Sequence, residues 1–416
     1  MNRKQLTIVL VLGVVLGGLG WYVVRRDAAS YQSTGAGLGQ KLLPDVPLND
    51  VGQVVLKEGT NELTLARVDE VWKVRERYDY PANFTQVGDF LRKVWDMKVV
   101  QSEPAGAAQL ARLQLLEPGP GTNTGTRVEF KTDAGKTVAS VLLGKKYLKK
   151  GDPSSPFGGE GYPAGRYVLV ASQPKQAALV SDALSEIEAK PDRWLNKDFF
   201  KVEKLKAVAV TQPAATNSWK VYREAENGEL KLADPQGEEK LDTGKISSAG
   251  SALSYPSFVD VVSPQAKADE TGLDNPITAK LETFEGFTYN VRIGKKTGED
   301  NYYFAVSVTG DFAKERTPGQ DEKPEDKERL DKEFKDKLTK LEEKLKKEKA
   351  YEKWTYLASK WTLDALLKER RDLLVEKKDE KKDAAAATGV STEADEPPTA
   401  LPEADMDEDE AKEENP

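Results

Sequence analysis

Gly135-Lys136-Thr137 ends like a phosphate-cradling loop, in which backbone N–H groups hold the phosphates and a lysine reaches the outermost one. That loop also needs a glycine five positions before Gly135, and Phe130 stands there. The segment reads as a hairpin turn rather than a strand-to-helix turn, so nucleotide binding is not expected. Phe157-Gly158-Gly159-Glu160-Gly161 is glycine-rich enough to wrap an anion in backbone N–H groups, but reads first as a loop between strands. Asp192-Arg193-Trp194 offers an ion pair or a contact surface, and Asn83-Phe84-Thr85 matches a glycosylation sequon at what reads as a helix start. Trp72, Trp194, Trp219 and Trp354 are expected to cap cores at strand and helix ends.

The chain has no cysteine and no histidine. Disulfides, thiolate nucleophiles, zinc–thiolate sites and every imidazole base or ligand are therefore excluded. Carboxylate pairs, Ser–Lys dyads and all-oxygen metal sites survive that test, yet no spacing singles out a pair. The expectation is a protein without catalysis, cofactor or metal.

The elements that would position any site begin with an anchor. Met1-Asn-Arg-Lys-Gln precedes an uncharged run that starts at Leu6 and ends at Val24, followed by Arg25 and Arg26. As a helix, residues 6–24 would extend about 28 Å, close to the hydrocarbon thickness of a bilayer. Trp21 and Tyr22 fall where interfacial aromatics belong. No small-x-small cleavage site precedes Arg25, so residues 1–26 read as a retained transmembrane anchor. Charges flank both ends, and the five-residue tail places the N-terminus inside. Gly13 and Gly17 form a GxxxG pair within a glycine-rich span. Residues 27–42, with Gly35, Gly37 and Gly39, read as a flexible linker.

The 416 residues are 38% hydrophobic and 32% charged with a net charge of −8. This is not the basic footprint of a nucleic-acid binder. Two similar blocks follow the linker, at 43–200 and 201–376. In the first, 51–56, 63–68 and 71–74 alternate as strands, and Pro81 opens a helix with Val87, Phe90, Leu91, Val94 and Trp95 on one face. The segments 127–131 and 137–143 then form a hairpin about Asp133-Ala134-Gly135, closing on Gly144-Lys145-Lys146. A strand at 165–170 and a helix through Ala177, Leu184 and Ile187 complete it.

The second block repeats the order. Strands at 207–211, 219–222 and 230–232 precede a helix at 246–255 and a hairpin of 279–284 and 288–293, closing on Gly294-Lys295-Lys296. The counterpart of 165–170 is Trp354-Thr355-Tyr356-Leu357, followed by a helix through Leu363, Leu366, Leu367 and Leu373. Extra sequence at 313–349 is a charged helical insertion into a hairpin. Leu330, Phe334, Leu338, Leu341 and Leu345 make a thin apolar stripe along it at coiled-coil-like spacing. These five are the candidate partner-contact residues, and removal of 324–349 is expected to leave the fold intact. Residues 377–416 are charged and read as a disordered acidic tail. The fold class is thus α+β: two tandem similar blocks of antiparallel strands with packed helices, plus a transmembrane helix and an inserted charged helix.

The strands ending in Trp72-Lys73-Val74, the helix opening near Pro81, the element Gly272-Leu273-Asp274-Asn275-Pro276 before a hairpin, the Gly-Lys-Lys turns and the Tyr167-Val168-Leu169-Val170 strand together resemble the bacterial family called domain of unknown function 4340, over about residues 43–375. The first block departs from the pattern, with Leu115-Leu116-Glu117-Pro118 in place of Gly-Leu-Asp-x-Pro. The resemblance implies an accessory of ABC-type export systems, including those related to gliding motility, and supplies no catalytic residue. The resulting expectation is a single-pass protein of the bacterial inner (cytoplasmic) membrane. It displays an extracytoplasmic interaction domain to an ABC permease or another membrane protein. The alternative is a module binding a small molecule, peptide or glycan between the two repeats.

Overall fold

The computed structural model describes residues 38–44, 46–149, 161–298, 300–319 and 322–376. The expected span from Leu6 to Val24, the loop at 157–160 and the acidic tail lie outside these. Among the described residues no helix is long and apolar enough to cross a membrane. Those through Leu374 form one compact unit.

The first half contains β1 (Gln53–Glu58), β2 (Asn61–Val68), β3 (Val71–Val74), β4 (Tyr80–Pro81), α1 (Phe84–Asp96), β5 (Val99–Pro104), α2 (Ala107–Arg112), β6 (Thr126–Lys131), β7 (Thr137–Lys149), β8 (Tyr162–Val170) and β9 (Gln176–Val180). The second contains β10 (Leu205–Thr211), β11 (Trp219–Tyr222), β12 (Lys231–Leu232), α3 (Thr243–Gly250), β13 (Asp260–Val262), α4 (Ala268–Thr271), β14 (Ile277–Thr283), β15 (Phe287–Thr297), β16 (Asn301–Gly310), α5 (Lys327–Lys349), β17 (Thr355–Ser359) and α6 (Lys360–Leu367). Among the described residues these build two antiparallel sheets, ordered β4-β3-β2-β1-β6-β7-β8-β9-β5 and β12-β11-β10-β14-β15-β16-β17-β13. Apart from the extra edge strand β4, the orders match strand for strand, and α1 and α3 make the same crossing from one sheet edge to the other.

Local chemistry explains the elements. Asn83 caps α1 by accepting from the Gln86 N–H at 3.1 Å. Val87, Phe90 and Val94 then fall on one buried face, with the Phe90 ring 6.0 Å from Phe130 and 5.8 Å from Trp194. Burying side chains of this size stabilises by about 1.5–3 kcal/mol each. In β6 the alternation turns Thr126, Val128 and Phe130 inward. One apolar core runs through both halves, and a smaller cluster of Ala105, Leu113, Leu115, Leu142 and Ala177 covers the opposite face of the first sheet.

The Gly-Lys-Lys elements do not end their strands. Both are irregularities at which the register shifts, between Leu143 and Lys146 and between Ile293 and Lys296, while β7 and β15 continue. A Cβ on Gly144 would stand 2.4 Å from the Leu113 carbonyl oxygen, and one on Gly294 2.1 Å from that of Thr271. Each bulge therefore makes room for the turn that follows α2 or α4. In those turns Gln114 and Gly272 hold the same left-handed conformation, with φ of 56° and 71°. This is why the first block lacks the glycine: Gln114 adopts its conformation instead.

Other expectations are corrected. The helix through Ala177, Leu184 and Ile187 is absent. Residues 176–180 form β9, paired with β5 and β8, and the chain then turns at Leu184, whose N–H donates to Asp182 Oδ1 at 2.7 Å. All three apolar residues are still buried, Leu184 and Ile187 in the main core and Ala177 in the smaller cluster on the other face of the sheet, so a strand followed by a turn mimics helical spacing. The true counterpart of β8 is β16, and 355–359 corresponds to β9; the pairing read from sequence was one strand out. Pro81 lies in β4 and α1 begins at Phe84, while α3 stops at Gly250 rather than at 255. At the end of the expected linker, Gly39 N–H donates to Val99 O and Leu42 N–H to Met97 O.

Candidate functional site

The inserted helix α5 leaves the β16–β17 connection, and its apolar stripe comes from spacings of three and four. Leu330, Phe334, Leu338, Leu341 and Leu345 are all half-buried. Among the described residues, the main core reaches along the stripe to Leu345 and Leu341 and stops there. Leu338, Phe334 and Leu330 continue the same face over about the next three turns, away from the docked end. Beside them the chain entering the helix is clamped by Arg316, which pairs with Glu322 and, through Nε at 2.9 Å, with Asp331. The Arg316 guanidinium holds the Glu322 carboxyl below its ordinary range.

The docked end is polar and enclosed. Glu348 is 5% exposed. Its Oε1 accepts from the Lys201 N–H at 3.1 Å and its Oε2 from the Tyr289 hydroxyl at 2.7 Å. The Tyr289 oxygen also lies 3.0 Å from the Lys201 carbonyl oxygen. Burial pushes the Glu348 carboxyl above its ordinary range, and the two hydrogen bonds offset this only in part. Burial and the neighbouring Glu348 charge push the Tyr289 phenol up as well. One turn earlier, Lys344 Nζ pairs with Glu203 at 2.6 Å and sits 5.0 Å above the Phe287 ring, which holds the Glu203 carboxyl low. The helix is thus not a wholly solvated arm. Its last two to three turns belong to the body, and removing all of 324–349 would strip Tyr289 and Lys201 of buried partners.

The other motifs resolve into structure. Gly135 turns the β6–β7 hairpin, its N–H donating to Thr132 O and its φ at 80°. Trp194 is fully buried and donates through Nε1 to Glu188 O. Trp72 and Trp219 are buried and Trp354 is partly so. The junction between the sheets, where the alternative reading set a ligand site, is packed with rings. Tyr80 of β4 meets Phe258, Trp354 and Tyr356 edge-on at 5.7, 5.0 and 6.2 Å, and Arg77 Nε reaches Asp260 at 2.6 Å.

Sequence reasoning stopped the stripe at Leu345 and so missed Glu348. The signal was there: Glu348 is the next position at a spacing of three, and Tyr289 is an inward residue of the alternation Phe287, Tyr289, Val291, Ile293. A lone carboxylate on an apolar face opposite an inward phenol marks a buried polar contact.

Together these features define a class: a duplicated antiparallel α+β protein with a helix inserted into, and anchored on, its second sheet. The family model called Domain of unknown function (DUF4340) matches residues 72–276, from β3 to the turn after α4. Over those residues the chain is similar to that family. No curated protein and no solved structure matches it.

Proposed function

We propose that this chain is a membrane-anchored, extracytoplasmic interaction protein that works by contact without turnover, as an accessory of an ABC-type transport complex. The segment from Leu6 to Val24 is its anchor in the bacterial inner membrane, and α5 is the element that meets the permease. One observation carries the reading. The C-terminal turns of α5 are held on the second sheet by Glu348 and Lys344, while Leu330, Phe334 and Leu338 extend the same stripe past the docked turns. A helix held at one end presents its remaining face at a set angle, and a second helix packed on that face would bury apolar surface worth about 25 cal/mol per Å². The family resemblance supplies the transport context.

The test is affinity purification of the full-length chain from its native membranes, compared with a variant carrying Leu330→Gln, Phe334→Gln and Leu338→Gln. These changes leave Leu341, Leu345 and Glu348 in place. The reading expects an ABC permease with the wild type and its loss with the variant at unchanged melting temperature. Equal recovery of the permease with both would assign the contact elsewhere.

A further inference from the structure

A groove of about 880 Å³ opens on the second block. Ligand pockets run to about 300–1,000 Å³. One wall runs from the end of α3 to Pro256, the other from the turn at Asp300 into α6.

Both walls are held from behind. Ala249, Ala252 and Leu253 are buried under the first, and the Leu253 carbonyl accepts from the Val202 N–H at 3.0 Å. Leu363 and Leu366 are fully buried under the second, whose Lys360 N–H donates to the Asp300 carbonyl at 2.7 Å. Thr362 ties the walls together, its Oγ1 lying 3.2 Å from Ser257 Oγ and 3.3 Å from the Ser257 carbonyl oxygen. The groove is therefore preformed.

Its rims carry two aromatic side chains turned outward. Tyr255 and Trp361 are each 80% exposed, more than any other large apolar side chain among the described residues. A lone exposed ring needs no explanation; two on one preformed groove do. Between them the lining is rich in hydroxyls, including Ser251, Ser254, Ser359 and Thr362. The charges nearly cancel: Asp300 pairs with Lys296 at 3.0 Å, Asp364 lies 3.8 Å from Lys368, and Lys360 adds one cation. A phosphate or nucleotide would find no concentration of positive charge. A peptide docked by its side chains would want apolar pockets, but Ala252, Leu253 and Ala365 are already buried by the body. Flat rings take the C–H face of a pyranose, and carboxylates and hydroxyls between them match its vicinal hydroxyls.

Beyond Tyr255 a second recess of about 360 Å³ continues and shares Ser254 and Tyr255 with the first. Lys201, Lys204 and Arg223 line it with Glu203 and Glu226, so charges of both signs are interspersed, and Lys201 Nζ stands 5.6 Å over one face of the Tyr255 ring. Tyr255 is thus a ridge between two recesses, which suits a chain rather than a single sugar. We propose that this groove binds a neutral oligosaccharide laid across Trp361 and Tyr255.

The experiment uses the full-length chain in nanodiscs, titrated with chitotetraose, cellotetraose and maltotetraose and followed by calorimetry and tryptophan fluorescence. At least one of the three should bind with a Kd below about 1 mM. Trp361→Ala and Tyr255→Ala should each weaken it about tenfold without moving the melting temperature, because neither side chain is part of the core. Phe84→Ala, which removes an exposed ring elsewhere, should change nothing. The proposal is overturned if none of the three binds in that range, or if binding survives both groove variants.

Discussion

The hydroxyl of Tyr289, on an interior strand of the second sheet, meets Oε2 of Glu348 on the inserted helix at 2.7 Å. Lys201 closes the arrangement from the chain entering the second block, its N–H donating to Glu348 and its carbonyl oxygen lying 3.0 Å from Tyr289. When Glu348 is ionised, the single phenolic proton has two acceptors to serve. When Glu348 is protonated, its O–H donates to Tyr289, Tyr289 donates to Lys201, and every group is satisfied.

This sets a pH dependence. The folded state raises the pKa of Glu348 through burial, so it holds the proton more tightly than the unfolded chain does. The stabilisation from this group is complete below the unfolded carboxyl range and is lost as pH rises through the folded pKa. Glu348→Gln reproduces the neutral hydrogen-bond pattern without titrating. At neutral pH it should therefore melt higher than wild type, with the gap closing as pH falls toward about 5. Glu348→Ala removes the carboxylate acceptors of both buried donors, leaving the Tyr289 hydroxyl only the Lys201 carbonyl and the Lys201 N–H without its carboxylate, and should cost about 1–3 kcal/mol. Thermal unfolding of the three proteins across pH checks both statements. A Gln variant that melts below wild type at neutral pH would mean the ionised form is the better fit.

Gln114 and Gly272 offer a second check, because they share one backbone conformation in the two blocks. A non-glycine residue in the left-handed region costs about 1–2 kcal/mol, and a glycine costs about 0.5–1 kcal/mol in unfolded-state entropy. Gln114→Gly should be neutral to stabilising by about 1 kcal/mol. Gly272→Gln should cost about 2 kcal/mol or more, since a Cβ there would also stand 2.6 Å from the Lys295 nitrogen. Denaturant titration of both variants measures the asymmetry, and equal and opposite effects would show that the two turns are equivalent after all.

The sheets should unfold together through their aromatic junction. Tyr80 is 3% exposed and lies edge-on to three rings of the second block. Tyr80→Ala should cost about 3–5 kcal/mol. A double-mutant cycle on Arg77 and Asp260, which are partly buried and 2.6 Å apart, should return a coupling of about 1 kcal/mol that weakens with salt. If Tyr80→Ala instead leaves a second, unchanged transition, the blocks are independent.

The duplication was legible because hairpins with strict alternation, such as Phe287 to Ile293, and two Gly-Lys-Lys elements repeat at corresponding places. The stripe of Val87, Phe90, Leu91, Val94 and Trp95 likewise announced α1, though not its start, which Asn83 sets rather than Pro81. What escaped has physical causes. β4 and β13 are two and three residues long, too short for alternation to register. β9 was hidden because Ala177, Leu184 and Ile187 have helix-like spacing although a strand and a turn bury them on two different faces of the sheet. Glu348 was hidden because a carboxylate reads as surface until its partners are known. Tyr255 and Trp361 were hidden because 106 positions of chain separate them and only the fold brings them to one groove.

Under the proposed function, the undocked stripe of α5 touches a transport permease. The most direct measurement is photo-crosslinking in the native membrane from a reactive side chain at Phe334, with Asp336, on the opposite face of the same helix, as the control position. The account predicts an adduct between the Phe334 position and an ABC permease, absent from the Asp336 position. No adduct at Phe334, or the same adduct from both faces, would contradict it.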